Sequence, residues 1–103
     1  MTTLIVLFNL KPGADVAAYE RWAAETDMAT VRRLEHCAAF DVYRCNGTLA
    51  GGDAPYDYVE IIELSDLDGC RAEAAGDAVQ QVAAQFREFA ADPVFMITER
   101  LPA

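Results

Sequence analysis

Residues 3–10 read TLIVLFNL, and residues 56–64 read YDYVEIIEL. The first is too short for a lone helix and rich in β-branched and aromatic residues, so it reads as a strand. The second reads as a strand as well. An antiparallel sheet with one wet face alternates apolar and polar residues. These runs do not. Leu4, Val6, Phe8 and Leu10 fill one face of the first while Ile5 and Leu7 occupy the other. In the second, Val59 and Ile61 oppose Tyr58, Ile62 and Leu64. A sheet made from them is apolar on both sides.

Between and beyond these strands the punctuation is regular. Lys11-Pro12-Gly13 ends the first strand, and Asp15 offers an oxygen to cap a helix. Val16, Tyr19, Ala23 and Thr26, with Trp22 beside them, recur at helical spacing, leaving Glu20, Arg21 and Glu25 on the wet side. The spacing predicts a helix to about Thr26, then a short turn, Met28 to Leu34, capped by Asp27. Ala38 to Leu49 reads as another strand, followed by the glycine-rich connection through Gly51-Gly52-Asp53-Ala54-Pro55. Ser65, with Asp68 three residues on, resembles a capping box, and a break is expected near Gly76-Asp77. Val79, Val82, Ala83, Phe86 and Ala90 form an apolar stripe that Asp92-Pro93 stops. Val94 to Leu101 is the last strand, with Val94 and Met96 opposing Phe95 and Ile97.

The order is β-α-β-β-α-β, an α+β ferredoxin-like pattern with a four-stranded antiparallel sheet. Right-handed crossovers put the first and third strands at its centre. Two helices cover only one face. The other apolar face needs a cover from outside the chain, and a second copy laid sheet to sheet supplies one with two-fold symmetry. The expected assembly is a homodimer, a dimeric α+β barrel.

Composition narrows the partners. The chain has 103 residues, one domain's worth, and eight basic against seventeen acidic residues give a net charge of −9. Such a surface repels phosphate backbones and anionic lipid heads, so neither nucleic acid nor membrane is an expected partner. The start, Met1-Thr2-Thr3-Leu4, lacks the basic opening of a signal peptide, and a cytoplasmic location is expected. Cys37, Cys45 and Cys70 with the lone His36 match no zinc-site spacing, so no metal is expected and the thiols read as reduced. No phosphate-binding glycine loop or Gly-x-Ser-x-Gly elbow is present.

Five residues stand out as site candidates. His36 is the only side chain whose ordinary pKa lies near neutrality, so it is a candidate acid/base, against the plainer role of a surface histidine. Tyr19 and Trp22 are candidate walls for a flat ligand, against simple core packing. Arg44 shares strand parity with Phe40 and Val42 and so faces apolar surroundings, where an arginine wants a carboxylate. Asp27, Glu60 and Glu63 are the partners considered. The Arg44–Asp27 pairing reads equally as ligand recognition or as an ion pair fixing the helix end. Glu60, Glu63 and Glu99 interrupt apolar strands and are either acids of raised pKa or strand-end and intersubunit partners of Arg100. Asn9, Trp22 and His36 invite comparison with barrel monooxygenases, although the placement of the Trp and the His departs from the haem-degrading pattern.

Trp22-x4-Asp27, Val31-Arg32-x-Leu34, Phe40-x-Val42-Tyr43-Arg44, Asp57-Tyr58-Val59-Glu60 and Phe86-x-x-Phe89-x3-Pro93-Val94-Phe95 resemble the REDY-like family of the dimeric α+β barrel superfamily. The resemblance spans nearly the whole chain. It implies a small cytoplasmic barrel dimer that assists cyclisation or condensation of a pyrrole-type or polyketide-like intermediate. It also places a Trp at the position of Trp22. On this reading His36 or Asp27 moves a proton, Arg44 holds an oxygen, Tyr19 and Trp22 wall a small apolar or aromatic ligand, and no cofactor is called for. The competing readings are a non-catalytic small-molecule or stress-type barrel protein and a cofactor-independent quinol monooxygenase.

Overall fold

The computed structural model describes residues 1–102. The elements are β1 (Thr2–Leu10), α1 (Val16–Trp22), a π-helical turn (Ala23–Met28), α2 (Ala29–Val31), β2 (Cys37–Arg44), β3 (Tyr58–Leu64), α3 (Leu67–Ala74), α4 (Asp77–Phe89) and β4 (Ala90–Glu99). The four strands lie in the order β2-β3-β1-β4, every neighbouring pair antiparallel. This is the ferredoxin-like α+β arrangement, and β1 and β3 are central as their two-sided apolar character demands.

Local chemistry explains the boundaries, including those the sequence reading missed. Asp15 caps α1 by accepting a hydrogen bond from the Ala18 N–H at 3.1 Å. The first helix does not stop at Thr26. It continues through the π turn into α2, so Asp27 lies inside it rather than at a cap. Asp66, not Ser65, caps α3, accepting from the Gly69 N–H at 3.1 Å. Gly76 breaks α3 from α4, as expected. β4 begins at Ala90, earlier than Val94, because a bulge absorbs Asp92-Pro93. Two β1 residues, Leu7 and Asn9, bracket the register shift, and Asp92 takes φ 45° there. Aspartate tolerates the left-handed region better than most residues, and an edge strand does not need the N–H that Pro93 lacks. β2 ends at Arg44 rather than Leu49, since the glycine-rich loop claims the remainder.

The helices cover the sheet face that carries Val6, Phe8, Phe40, Tyr58, Glu60, Ile62 and Leu64, all buried. Phe8 is its centre. Its ring lies 4.9 Å from that of Phe86, 5.5 Å from Tyr58 and 5.7 Å from Tyr19, two edge-on contacts and one stacked. The opposite face carries half-buried Ile5, Leu7, Val59 and Ile61. Tyr43, Val94 and Met96 stand exposed beside them. No helix of the described residues is long and apolar enough to cross a membrane.

Phe8→Ala removes the ring on which the aromatic core is organised. The expected loss in urea unfolding is about 3–5 kcal/mol, the usual range for a large aromatic deleted from a core. A loss under about 1 kcal/mol would show that the aromatic cluster is not what holds helix to sheet.

Candidate active site

A cavity of about 220 Å³ lies between the helices and the sheet. Its walls are apolar: Leu4, Val31, Phe40, Ile62, Val82 and Phe86 contribute most of the character. Two carboxyls interrupt them, Asp27 from the π turn and Glu60 from the middle of β3. Both residues are buried, at 5% and 4% exposure. Neither Lys, Arg nor His lines the cavity.

Backbone geometry puts the two acids there. Tyr19, Ala23, Asp27 and Val31 follow one another at intervals of four, so Asp27 continues the inward stripe of the first helix. It sits within the π turn, a rare element that is frequent at functional sites. Glu60 alternates with Tyr58, Ile62 and Leu64, so strand parity alone turns it toward the helices. Burial pushes the Asp27 carboxyl up to about 7. Burial, and then the nearby Asp27 charge, push Glu60 up to about 8. Near neutrality such a pair holds at least one proton, shared as a coupled system. One member donates while the other accepts, the arrangement general acid–base chemistry needs.

Among the described residues two buried side-chain polar atoms have no partner: Glu60 Oε2 and the Tyr19 hydroxyl. Burial, reinforced by the charges of Glu60 and Asp27, drives the Tyr19 hydroxyl far above its usual range, so it remains a phenol. Tyr19 lines a second, smaller chamber of about 170 Å³, with Glu20, Ala23, Met28, Val42, Arg44 and Tyr58. Val42 is the cross-strand neighbour of Glu60, so the acid pair stands at the partition between the chambers.

Arg44 takes a partner that the sequence reading left on the wet side. Its carboxylate is that of Glu20, not of Asp27, Glu60 or Glu63. Arg44 Nε donates to Glu20 Oε2 at 2.7 Å, and Nη2 donates to Oε1. The Tyr58 hydroxyl donates to Glu20 Oε2 at 2.6 Å. The Arg44 and Tyr58 hydrogen bonds hold the Glu20 carboxyl down to about 2. The cluster ties α1 to β2 and β3, since β2 contributes two donors and β3 one to a helix carboxylate.

His36 stands elsewhere. Its Nδ1 is 2.8 Å from Glu73 Oε1, and Glu73 also accepts the N–H groups of Glu35 and His36 at 2.7 and 2.9 Å. The hydrogen bond to Glu73 raises the histidine pKa. Its ring lies against Gly69, where an added Cβ would come within 2.6 Å of Nε2. His36 does not line the cavity. Trp22 does not either: its Nε1 donates to Gln85 at 2.8 Å and its ring packs among Tyr19, Phe86 and Phe89. Asn9 is bound to the loop, accepting from the Asp57 N–H at 2.9 Å. The three residues compared with a monooxygenase trio are therefore held by three separate partners. Among the described residues no group of three or more His, Cys, Asp or Glu is placed to hold a metal ion.

Of the acids, sequence reasoning named Glu60 only as one of several. Its parity with Tyr58, Ile62 and Leu64 was the available signal. Glu63 has the other parity and accepts from Thr3 Oγ1 at 2.8 Å, and Glu99 is exposed near the strand end.

Fold and site together define a ferredoxin-like α+β protein with a buried acid pair in an apolar pocket. Within that class, the model of the family described as REDY-like protein HapK matches residues 2–101, and the chain belongs to that family. The crystal structure of HapK from Hahella chejuensis superposes with a TM-score of 0.79 at 28% identity, covering 100% of this chain and 95% of the other. SnoaB, a cofactor-independent oxygenase from Streptomyces nogalater, superposes at 0.79 with 19% identity over 99% of this chain and 94% of its own. A dimeric protein of unknown function and ferredoxin-like fold from Bacteroides fragilis gives 0.68 at 14% identity, covering 96% and 95%. The last two likenesses are of fold. Among curated protein sequences none matches the chain.

The raised carboxyl pKa values carry a stability signature. Unfolding releases Asp27 and Glu60 to water, where they titrate near 4. Below that pH both states hold the protons and nothing is lost. As pH rises, the unfolded chain gives up its protons first, so stability falls until pH passes the folded-state values of about 7 and about 8. Asp27 alone accounts for a loss of roughly 4 kcal/mol between pH 4 and 8. Asp27→Asn is expected to be more stable than the parent at pH 8 and to flatten the profile, read by urea unfolding across that range. Parallel profiles for the two proteins would place the Asp27 carboxyl in water.

Proposed function

We propose that the cavity binds a small apolar intermediate and that Asp27 and Glu60 move protons on it during a cyclisation or condensation. The observation that carries this reading is the pair of buried carboxyls set in an otherwise apolar wall. In the carboxylate form Asp27 takes a proton from the atom that will form the new bond. The freed electron pair attacks a carbonyl carbon of the same intermediate, and Glu60 gives its proton to the carbonyl oxygen as the C=O π bond breaks. Asp27 then gives its proton to that hydroxyl, which leaves as water when its C–O bond breaks, while Glu60 takes a proton from the neighbouring ring atom as the double bond forms, so both acids end as they began. A positioned acid and base each contribute on the order of 10²- to 10⁴-fold. The rest comes from holding a flexible chain in its ring-closing shape with water excluded. The cavity equals roughly seven water volumes, enough for a compact one- or two-ring molecule. Membership of the REDY-like family supports a pyrrole-type or polyketide-like intermediate. The reaction as written needs no cofactor.

His36 stays outside the reacting pair on this reading, because its ring is turned to Glu73. Asp27→Asn is expected to lower turnover of a linear precursor at least 100-fold, while His36→Ala changes it less than about threefold. Undiminished turnover by Asp27→Asn and Glu60→Gln, both folded, would leave a binding protein without catalysis.

We infer as well that a second copy covers the reverse face of the sheet. Ile5, Leu7, Val59, Ile61 and Met96 make a continuous apolar surface there, the kind of patch that marks an interaction site. The Bacteroides fragilis neighbour is described as dimeric, which supports a two-copy assembly. Light scattering at micromolar concentration should give twice the 11.3 kDa chain mass. Ile61→Glu should return it to the single-chain value, and a parent protein already at 11.3 kDa would remove the dimer.

A further inference from the structure

We infer that the Tyr19 hydroxyl and the Glu60 carboxyl form a two-point cradle for one oxygen of a neutral, flat ring compound, a ketone or its enol. The inference rests on the cavity reading given above and adds the class of ligand. Its first support is the pair of buried polar atoms without partners, Tyr19 Oη and Glu60 Oε2. Native interiors rarely leave such atoms unpaired, and a bound group is a common reason when they do.

The second support is placement. Tyr19 stands two turns before Asp27 on the same inward stripe. Its ring lies 4.8 Å from that of Tyr58, which precedes Glu60 by one residue pair on the same face of β3. Of all charges, Glu60 acts most strongly on the Tyr19 hydroxyl, and Asp27 next. The phenol lines the smaller chamber together with Val42, the cross-strand neighbour of Glu60. Tyr58, the neighbouring phenol, is already committed to Glu20.

The third support is donor chemistry. A phenol and a protonated carboxyl both offer an O–H, and together they suit an oxygen that accepts two hydrogen bonds. The same two donors strengthen as charge builds on that oxygen, as it does when a base such as Asp27 takes the adjacent proton. A ligand carrying a full negative charge is disfavoured, since no cation lines the cavity and Arg44 is held by Glu20. The body of the ligand lies against Phe40, Ile62 and Phe86, which favours a flat apolar ring.

The test uses 2-naphthol as the enol mimic, naphthalene as the body without the oxygen, and 2-naphthoate as the anion. Titrations of the full chain at pH 6.5, followed by fluorescence and calorimetry, should show naphthol binding at least tenfold tighter than naphthalene. Naphthoate should bind more weakly than naphthol. Bound naphthol should stay un-ionised, without the red-shifted band of naphtholate, a readout that needs no variant; a naphtholate band on binding would overturn the neutral-ligand assignment. In Tyr19→Phe and Glu60→Gln the naphthol-to-naphthalene preference should fall at least fivefold. Equal binding of naphthol and naphthalene would overturn the cradle, leaving an open apolar cavity whose polar atoms water serves. Tighter binding of naphthoate would overturn it in favour of an anion site. Failure of all three probes to bind would remove the cavity reading itself.

Discussion

Two carboxyls in an apolar wall set the terms for the rest of the site. An ionised carboxylate taken out of water without a partner costs several kcal/mol, so a buried acid answers by keeping its proton. Asp27 and Glu60 do so, and the charge of one raises the other further. The consequence is chemical as well as energetic. Acids that titrate near neutrality exchange protons with a substrate at the pH where the chain works, which an ordinary surface carboxylate does poorly. A fold that needed only stability would gain from Asn and Gln or from leucine at these places. The two acids are in keeping with the proposed work done by their protons.

The outer polar clusters fasten the elements that frame that pair. Glu20 receives donors from Arg44 on β2 and Tyr58 on β3, and Glu73 receives the backbone around His36. One cluster fixes the first helix against the sheet beside the smaller chamber. The other fixes α3 against the chain leading into β2, where Gly69 leaves no room for a larger residue beneath the imidazole ring. Both are partly exposed, so their worth lies in orientation more than in energy. Arginine and histidine thus hold the frame, and carboxyls that lack such partners stand at its centre.

Much of the architecture was legible because it follows from short-range rules. The two-sided apolar strands, the α4 stripe of Val82 and Phe86 and the Gly76 break are local signals, and the strand order follows from crossover handedness. The site was harder to read. Asp27 was named as a candidate proton carrier, yet its place was read as a cap, because aspartate is a favoured capping residue and no sequence rule announces a π turn. Its place four residues after Ala23 on the inward stripe was the signal passed over. Glu60 was visible by parity but shared its description with Glu63 and Glu99, whose parity or position differs. Glu20 as the partner of Arg44 was not readable at all. The helix phase puts it toward water, and only the packing of α1 across Arg44 and Tyr58 brings the three together.

The sheet also explains why so short a chain can hold a chamber. A chain of 103 residues has little core to spare, and a cavity of about 220 Å³ forgoes contacts that would otherwise help hold it together. The core that remains is concentrated in rings: Phe8, Tyr19, Tyr58 and Phe86 interlock at one end and leave the other open. Further burial is available only on the reverse face, where Ile5, Leu7, Val59 and Ile61 are already apolar. The proposed pairing of two sheets would therefore offset what the chamber forgoes. It leaves the helix-covered face free to stay hollow, so the apolar back of the sheet and the acids at its front are two parts of one physical arrangement.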